Sequence, residues 1–237
     1  MSKELKKLIS KYGNINQFEK KASQIEREKY FLLNRAITLE YNDYRFRYRN
    51  QIDFTISEYL NKEENRELLF IEETDDCFSL FSKNKFYAES NILNSENIIF
   101  DEFPKRIEFN SLFQYLVYNK SVLFLDRNSA KLSLKSNKKE ELLKIDSEVE
   151  KYNGTVWTEY KTQIIEKGIN LLLEENLELL NTIIHHKNKY FVFKSDYEDW
   201  GVKNIQNFLK NEIKKTYNYK NYLGKILTKI NLEKGLK

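Results

Sequence analysis

The segment from residue 122 to residue 158 constrains the fold more than any other part of the chain. Residues 122–125 are a short apolar run, typical of a central strand that is buried on both faces. Residues 138–153 follow with apolar side chains at helical spacing, and Gly154 stands where a helix C-cap is expected. Residues 155–158 have the composition of a second strand. This order predicts a parallel crossover in an α/β sheet, with a mixed α+β arrangement as the alternative.

The flanking segments predict helices on both sides of this sheet. Residues 2–12 and 16–40 have apolar residues at helical spacing, and residues 44–56 change to the period of two that is typical of strands. After residue 165 the predicted order suits a small helical or winged-helix-like module. Further strands are predicted at residues 68–71, 78–81 and 190–193, and a last helix at residues 222–230. These elements divide the chain into N-terminal helices (1–42), an α/β core (43–164) and a basic helical module (165–237).

The composition predicts a packed core and no membrane contact. Of the 237 residues, 41% are hydrophobic and 14% are aromatic, which is enough apolar surface for one sizeable domain. No run approaches the roughly 20 apolar residues of a membrane-spanning helix, and the N-terminus lacks the apolar stretch of a signal peptide. We therefore expect a cytoplasmic protein. Cys77 is the only cysteine, which excludes an internal disulfide.

Positive charge is concentrated at the C-terminal end. The net charge is only +4, but residues 202–237 contain nine lysines and two glutamates. Such a basic segment is typical of a surface that binds phosphate or an acidic partner, with a solvated lysine face as the alternative. The lysines that we expect to contact DNA are Lys203, Lys210, Lys214, Lys215, Lys220 and Lys225.

A second basic surface is predicted on the strand at residues 44–49. Arg45, Arg47 and Arg49 alternate there with aromatic residues. The aromatic rings could stack on bases while the arginines pair with phosphates. The alternative is an amphipathic strand whose rings are core and whose arginines face solvent.

Two acidic patterns have the form used by magnesium-dependent nucleases. These enzymes hold Mg²⁺ with carboxylates at strand ends and use a nearby lysine. Asp53 with Glu72 is the first pattern, and Asp126 with Glu159 and Lys161 is the second. These five residues are the candidate catalytic residues, and the first three acids are the candidate metal ligands. Mg²⁺ is the expected cofactor if the chain is an enzyme, and solvated acids at strand ends are the alternative.

The second half of the chain resembles the TnsA-type transposon endonucleases, which have a restriction-endonuclease-like fold. The resemblance covers residues 98–185 and rests on residues 121–126, the helix at 138–152, residues 154–159 and residues 175–180. It implies a restriction-endonuclease-like core sheet flanked by helices. Where that family has its Glu-x-Lys motif, this chain has Asp126-Arg127-Asn128. The missing lysine implies a weakened or non-catalytic nuclease fold.

Three functional hypotheses follow. The first is a DNA-associated protein with a nuclease-like fold, of mobile-element or phage origin, and as an enzyme it would be a Mg²⁺-dependent endonuclease. The second is a non-enzymatic component of a phage, plasmid or defence system that binds another protein. The third is an RNA-binding protein or ribonuclease. The absence of a P-loop and of a dinucleotide-binding glycine motif argues against nucleotide hydrolysis.

Overall fold

The computed structural model describes residues 7, 10–13, 17–18, 21–23, 67–73, 77–89, 106–187, 189–197, 199–210 and 220–235. Within these residues, no helix has both the length and the apolar character needed to span a lipid bilayer.

Four strands, all described from residue 67 onward, form two small sheets. They are β1 (Glu67–Ile71), β2 (Phe86–Glu89), β3 (Arg106–Phe109) and β4 (Lys189–Phe193). β1 and β4 are parallel, with Leu69 opposite Phe191, whereas β2 and β3 are antiparallel, with Phe86 opposite Phe109. β4 has the sequence Lys-Tyr-Phe-Val-Phe, and its last four residues are buried. Aromatic and β-branched residues suit such a strand, because it is covered on both faces.

In the same described ranges, seven helices follow or separate these strands. They are α1 (Leu112–Leu123), α2 (Arg127–Lys135), α3 (Lys139–Glu148), α4 (Gly154–Glu175), α5 (Leu177–His185), α6 (Ile205–Lys210) and α7 (Tyr222–Gly235). All twelve residues of α1 are buried, because α2, α3 and α4 pack around it. Ser111 caps its first turn by accepting a hydrogen bond from the Gln114 backbone N–H at 3.1 Å. α1 is therefore the central helix of the fold.

α7 packs along the edge of β4 that does not face β1. The Phe191 N–H donates to Thr228 Oγ1 at 3.1 Å, and the Phe193 N–H donates to Asn221 Oδ1 at 3.1 Å. Asn221 Nδ2 donates in turn to the Phe191 carbonyl at 3.0 Å. Side chains of α7 and of its preceding residue thus satisfy backbone groups that a neighbouring strand would otherwise satisfy. Gly224 permits this approach, because a Cβ there would lie 2.1 Å from the Phe191 carbonyl oxygen.

The strands predicted at residues 122–125 and 155–158 are wrong. Residues 122–123 end α1, Leu125 lies in the turn after it with φ of 59°, and residues 155–158 belong to the start of α4. The strand predicted at residues 78–81 is a series of turns. A helix that is buried on every side has no polar face, so a short apolar run within it cannot be distinguished from a strand by its periodicity. The predicted crossover is therefore not found in the described part of the chain.

Other predicted elements are confirmed. Residues 68–71 and 190–193 are strands, and the helices predicted at 138–153 and 222–230 correspond to α3 and α7. The mixed α/β class holds, but sheets of two strands do not establish a restriction-endonuclease-like core or a winged helix. Most of residues 1–66 lie outside the described residues, and the three-part division of the chain stays a prediction.

Asp126, which we predicted at the end of a strand, is the N-cap of α2. Its Oδ1 accepts a hydrogen bond from the Ser129 N–H at 3.0 Å, and its Oδ2 accepts one from the Glu150 N–H at 2.9 Å. Burial raises the pKa of this carboxyl, but the backbone hydrogen bonds outweigh burial and leave the pKa below its ordinary value. The side chain therefore joins the start of α2 to the turn after α3.

We expect Asp126→Ala to lower the free energy of unfolding by about 2 kcal/mol at neutral pH, because two backbone N–H groups lose their acceptor. The stabilisation from the ionised carboxylate is fully present above the pKa of about 3.9 in the unfolded chain, and it is lost as the pH falls through the lower folded pKa. Urea unfolding of both proteins at several pH values measures the difference. A difference that stays constant down to strongly acidic pH would contradict this account of Asp126.

Candidate active site

Three aromatic rings form a contact triangle at one end of α1. The Phe81 ring centroid lies 4.7 Å from that of Phe113 and 5.8 Å from that of Tyr197, and the third side of the triangle is 6.0 Å. Lys139 Nζ lies 4.4 Å from the Phe81 centroid and pairs with Glu73 at 2.8 Å. A cavity of about 220 Å³ opens beside the triangle and includes Phe81 and Lys139 in its lining. The triangle therefore borders a space that can hold part of a small molecule.

Lys120 and Asp146 form the first of two Lys–Asp pairs in which the lysine is buried. Lys120 Nζ donates to Asp146 Oδ1 at 2.8 Å and to the Asp146 carbonyl at 2.7 Å. The lysine side chain is only 8% exposed, whereas that of Asp146 is 27% exposed. Lys120 Nζ also lies 4.8 Å from the Tyr152 ring centroid and 5.6 Å from a Trp157 ring centroid. The cation is thus enclosed, and its carboxylate partner faces outward.

Lys161 and Asp199 repeat this arrangement. Lys161 Nζ, on a side chain that is 4% exposed, lies 2.6 Å from Asp199 Oδ2, while Asp199 is 34% exposed. Lys220 Nζ lies 2.6 Å from the other oxygen, Oδ1. Burial raises the pKa of Asp199, but the hydrogen bonds and charges of Lys161 and Lys220 outweigh it, so that the pKa lies below its ordinary value. Asp199 is therefore a carboxylate at neutral pH.

The charges of the aspartates in the two pairs affect the pKa of nearby tyrosine side chains. Burial raises the pKa of Tyr152, and the charges of Asp146 and Asp199 raise it further. Burial likewise raises the pKa of Tyr197, with additional contributions from Asp146 and Glu73. Both phenols therefore stay protonated at neutral pH. We call Lys120, Asp146, Tyr152, Lys161 and Asp199 the two-aspartate site.

The site is assembled from four separate stretches of chain. Lys120 lies on α1, Asp146 on α3 and Lys161 on α4, while Asp199 lies in the loop after β4. The Trp200 N–H in that loop donates to the Tyr197 carbonyl at 2.9 Å, and the Trp200 ring packs edge-on against Tyr222 at 6.3 Å. The loop is thus held against the start of α7. One ionised carboxylate, Asp199, and two protonated phenols together suit a substrate that gains positive charge during its reaction.

The family of the protein follows from comparison with known proteins. The NADAR domain family matches residues 69–233, well over half of the chain, and this match includes the whole two-aspartate site. The chain belongs to the NADAR domain family. N-glycosidase R617 of Acanthamoeba polyphaga mimivirus is 28% identical over 127 residues, which cover 53% of this chain and 75% of that relative.

Membership of the NADAR domain family shows that the resemblance to TnsA-type endonucleases is wrong. The DNA-associated, nuclease-like function and the mobile-element origin that we drew from that resemblance are wrong with it. Residues 121–126, which carried the resemblance as a strand, are the end of α1 and the turn after it. The protein-interaction and RNA-directed alternatives gain no support from the comparisons. A cytoplasmic location stays a prediction.

Of the three candidate catalytic residues whose side chains this NADAR domain structure describes, Lys161 is the one that lies in the two-aspartate site. Glu72 is on the surface and pairs with Lys194. Asp126 uses both oxygens as a helix cap. Glu159 lies on α4, and its side chain is outside the described part, as is Asp53.

The magnesium site stays a prediction, since Asp53 is one of its three proposed ligands. Among the described residues, no group of three or more His, Cys, Asp and Glu side chains could hold a metal ion. Glu72 and Asp126 are occupied by Lys194 and by two backbone N–H groups respectively.

The basic residues that we predicted to contact DNA lie in different environments. Lys203 pairs with Asp196 at 3.5 Å on the surface, and Lys220 pairs with Asp199. Lys225 is buried on α7, with its Nζ 5.7 Å from the Tyr222 ring centroid. The others lie outside the described residues or have side chains that do; these are Arg45, Arg47, Arg49, Lys210, Lys214 and Lys215.

Sequence reasoning missed Lys120, Asp146, Tyr152 and Asp199. One signal was available: Lys120 interrupts an otherwise largely apolar stretch that begins at Leu112. A charged lysine inside a buried helix is costly unless a carboxylate pairs with it. The position of Lys120 therefore indicates an internal ion pair. Nothing in the sequence identifies Asp146 as its partner.

Proposed function

We propose that the protein is an N-glycosidase, which hydrolyses the bond between the anomeric carbon of a sugar and a ring nitrogen. The observation that carries the proposal is Asp199, an ionised carboxylate that is fixed by two lysines and partly exposed. Membership of the NADAR domain family and the name of the mimivirus relative support the same reaction class.

The chemistry of N-glycoside hydrolysis explains why such a carboxylate is useful. As the C–N bond breaks, positive charge develops on the anomeric carbon and ring oxygen, giving an oxocarbenium-like transition state. Water supplies the oxygen that bonds to the anomeric carbon, one proton of that water is released, and the departing nitrogen takes up a proton. A carboxylate that is already ionised and oriented stabilises the developing cation without further reorganisation.

We assign the stabilising role to Asp199. Each of its two oxygens is held by a different lysine at 2.6 Å, so the orientation of the carboxylate is fixed. Asp146, held on one oxygen by Lys120, is then the group that orients and deprotonates the attacking water. Tyr152 carries a protonated phenol near both carboxylates and donates a hydrogen bond to the substrate.

The test is a panel of N-glycosides, comprising nucleosides, nucleoside monophosphates and dinucleotides with different bases, incubated with the full chain in ¹⁸O-labelled water. Mass spectrometry should detect a free base and a sugar with one ¹⁸O at its anomeric carbon, because water attacks that carbon. Glu72→Gln, which changes a surface carboxylate that is not part of the two-aspartate site, is the matched control and should retain the activity. The proposal is rejected if no member of the panel releases a base. It is also rejected if the ¹⁸O is found only in a released phosphate.

A further inference from the structure

The two lysines that contact Asp199 differ in their surroundings. Lys161 approaches Oδ2 from the interior, with 4% of its side chain exposed, whereas Lys220 approaches Oδ1 from the surface, with 56% exposed. The contact of Lys161 with Asp199 follows from burial, since a buried ammonium needs a carboxylate partner. Burial places no such demand on Lys220, so its contact with the carboxylate calls for a separate explanation.

The backbone next to Lys220 is held in place by Asn221. The side chain of Asn221 is fully buried and hydrogen-bonds the Phe193 N–H and the Phe191 carbonyl of β4. Its φ of 29° is in the left-handed region, which asparagine adopts more readily than most residues. Because the loop that carries Asp199 also leaves from the end of β4, one strand fixes both members of the Lys220–Asp199 pair.

Two backbone hydrogen bonds strengthen this connection. The Tyr222 N–H donates to the Asp199 carbonyl at 3.4 Å, and the Leu223 N–H donates to the Trp200 carbonyl at 3.2 Å. The first residues of α7 therefore lie directly against the loop that carries Asp199. A cation placed just before α7 reaches the outer oxygen of Asp199, while Lys161 reaches the inner one.

We propose that Lys220 is a positioning residue, which fixes the outer oxygen of Asp199 so that the free lone pairs of the carboxylate face the substrate. This inference rests on the proposed N-glycosidase function and adds a second requirement to it. With Lys161 alone, rotation of the carboxylate about its bond to Cβ would break one hydrogen bond. With both lysines, the same rotation would break two.

Other charged or titratable groups near Asp199 remain when Lys220 is changed. Lys161 faces it from α4, and the Tyr152 phenol faces it from the turn before α4. On α7, Tyr222 has its ring 5.1 Å from Lys161 Nζ, and Lys225 Nζ lies 5.7 Å from the centroid of the same ring. A change observed in a Lys220 variant therefore reports on Lys220 rather than on a loss of all positive charge.

The test compares Lys220→Gln, Lys220→Arg and the control Lys203→Gln, which removes a lysine from another exposed ion pair beside the same loop. In Lys220→Gln, the NMR titration midpoint of the Asp199 carboxyl carbon should rise by about one pH unit, because a nearby cation is removed. The kcat of Lys220→Gln on the N-glycoside that the panel identifies as a substrate should fall about tenfold. KM should change little, since orientation matters most in the transition state. Lys220→Arg should restore both values, and Lys203→Gln should change neither.

The outcomes separate this inference from the function on which it rests. An unchanged Asp199 midpoint in Lys220→Gln, or an equal shift in Lys203→Gln, would overturn the role of Lys220 alone. A loss of kcat that Lys220→Arg fails to restore would also overturn it. If the wild-type protein itself hydrolyses no N-glycoside, the proposed function falls, and this inference falls with it.

Discussion

Asp199→Asn is expected to lower kcat/KM for N-glycoside hydrolysis about 10³-fold, which is the usual scale for removing a preorganised electrostatic group from an active site. The amide has nearly the same shape as the carboxylate but carries no charge. The developing oxocarbenium ion then loses its counter-charge, while the other side chains of the two-aspartate site remain. Steady-state kinetics with the substrate found in the panel should show the loss in kcat rather than in KM.

Two controls separate this effect from unfolding. The Asp199→Asn substitution leaves the buried Lys161 charge with a neutral partner, so thermal unfolding of the variant must be measured to confirm that it is folded at the assay temperature. Asp196→Asn changes an exposed carboxylate of the same loop that pairs only loosely with Lys203, and it should keep wild-type kinetics. Full activity in a folded Asp199→Asn protein would show that another group stabilises the transition state.

Gly224→Ala is expected to destabilise the protein by about 3 kcal/mol, although alanine is the better helix former. Helix propensity alone favours alanine by about 1 kcal/mol. The added Cβ would lie 2.1 Å from the Phe191 carbonyl oxygen and 2.5 Å from Asn221 Nδ2. The carbonyl belongs to β4 and cannot rotate away, so α7 must move and its hydrogen bonds to β4 must lengthen. The clash therefore outweighs the gain in propensity.

Gly154→Ala is the matched control for this substitution. Gly154 is the first residue of α4, and a Cβ there would meet nothing closer than the Tyr152 hydroxyl at 3.7 Å. We expect this variant to be as stable as the wild type or slightly more stable, because the same change in propensity occurs without a clash. Urea unfolding of both variants gives the comparison. Equal stability of Gly224→Ala and Gly154→Ala would contradict the close approach of α7 to β4.

The sequence predicted some elements correctly because their patterns are local. α3 has apolar residues at helical spacing with charged residues between them. β4 is a run of aromatic and β-branched residues that few helices contain. α1 was not recognised, because its final residues are as apolar as a buried strand. Whether these residues form a helix or a strand depends on the helices that surround α1. The packing of those helices cannot be predicted from a short segment of sequence.

The candidate site shows the same division between local and tertiary information. The sequence by itself determined that lysines and acids would be abundant, that Lys120 would lie within an apolar stretch, and that α3, β4 and α7 would form. Only the tertiary structure decided that Lys120 meets Asp146 and that Lys161 meets Asp199, across 26 and 38 residues of chain. A buried ammonium can be neutralised by any carboxylate that the fold brings to it, and the sequence offers 36 acidic residues. The packing of α1 against α3 and α4, together with the loop held between β4 and α7, selects two of them.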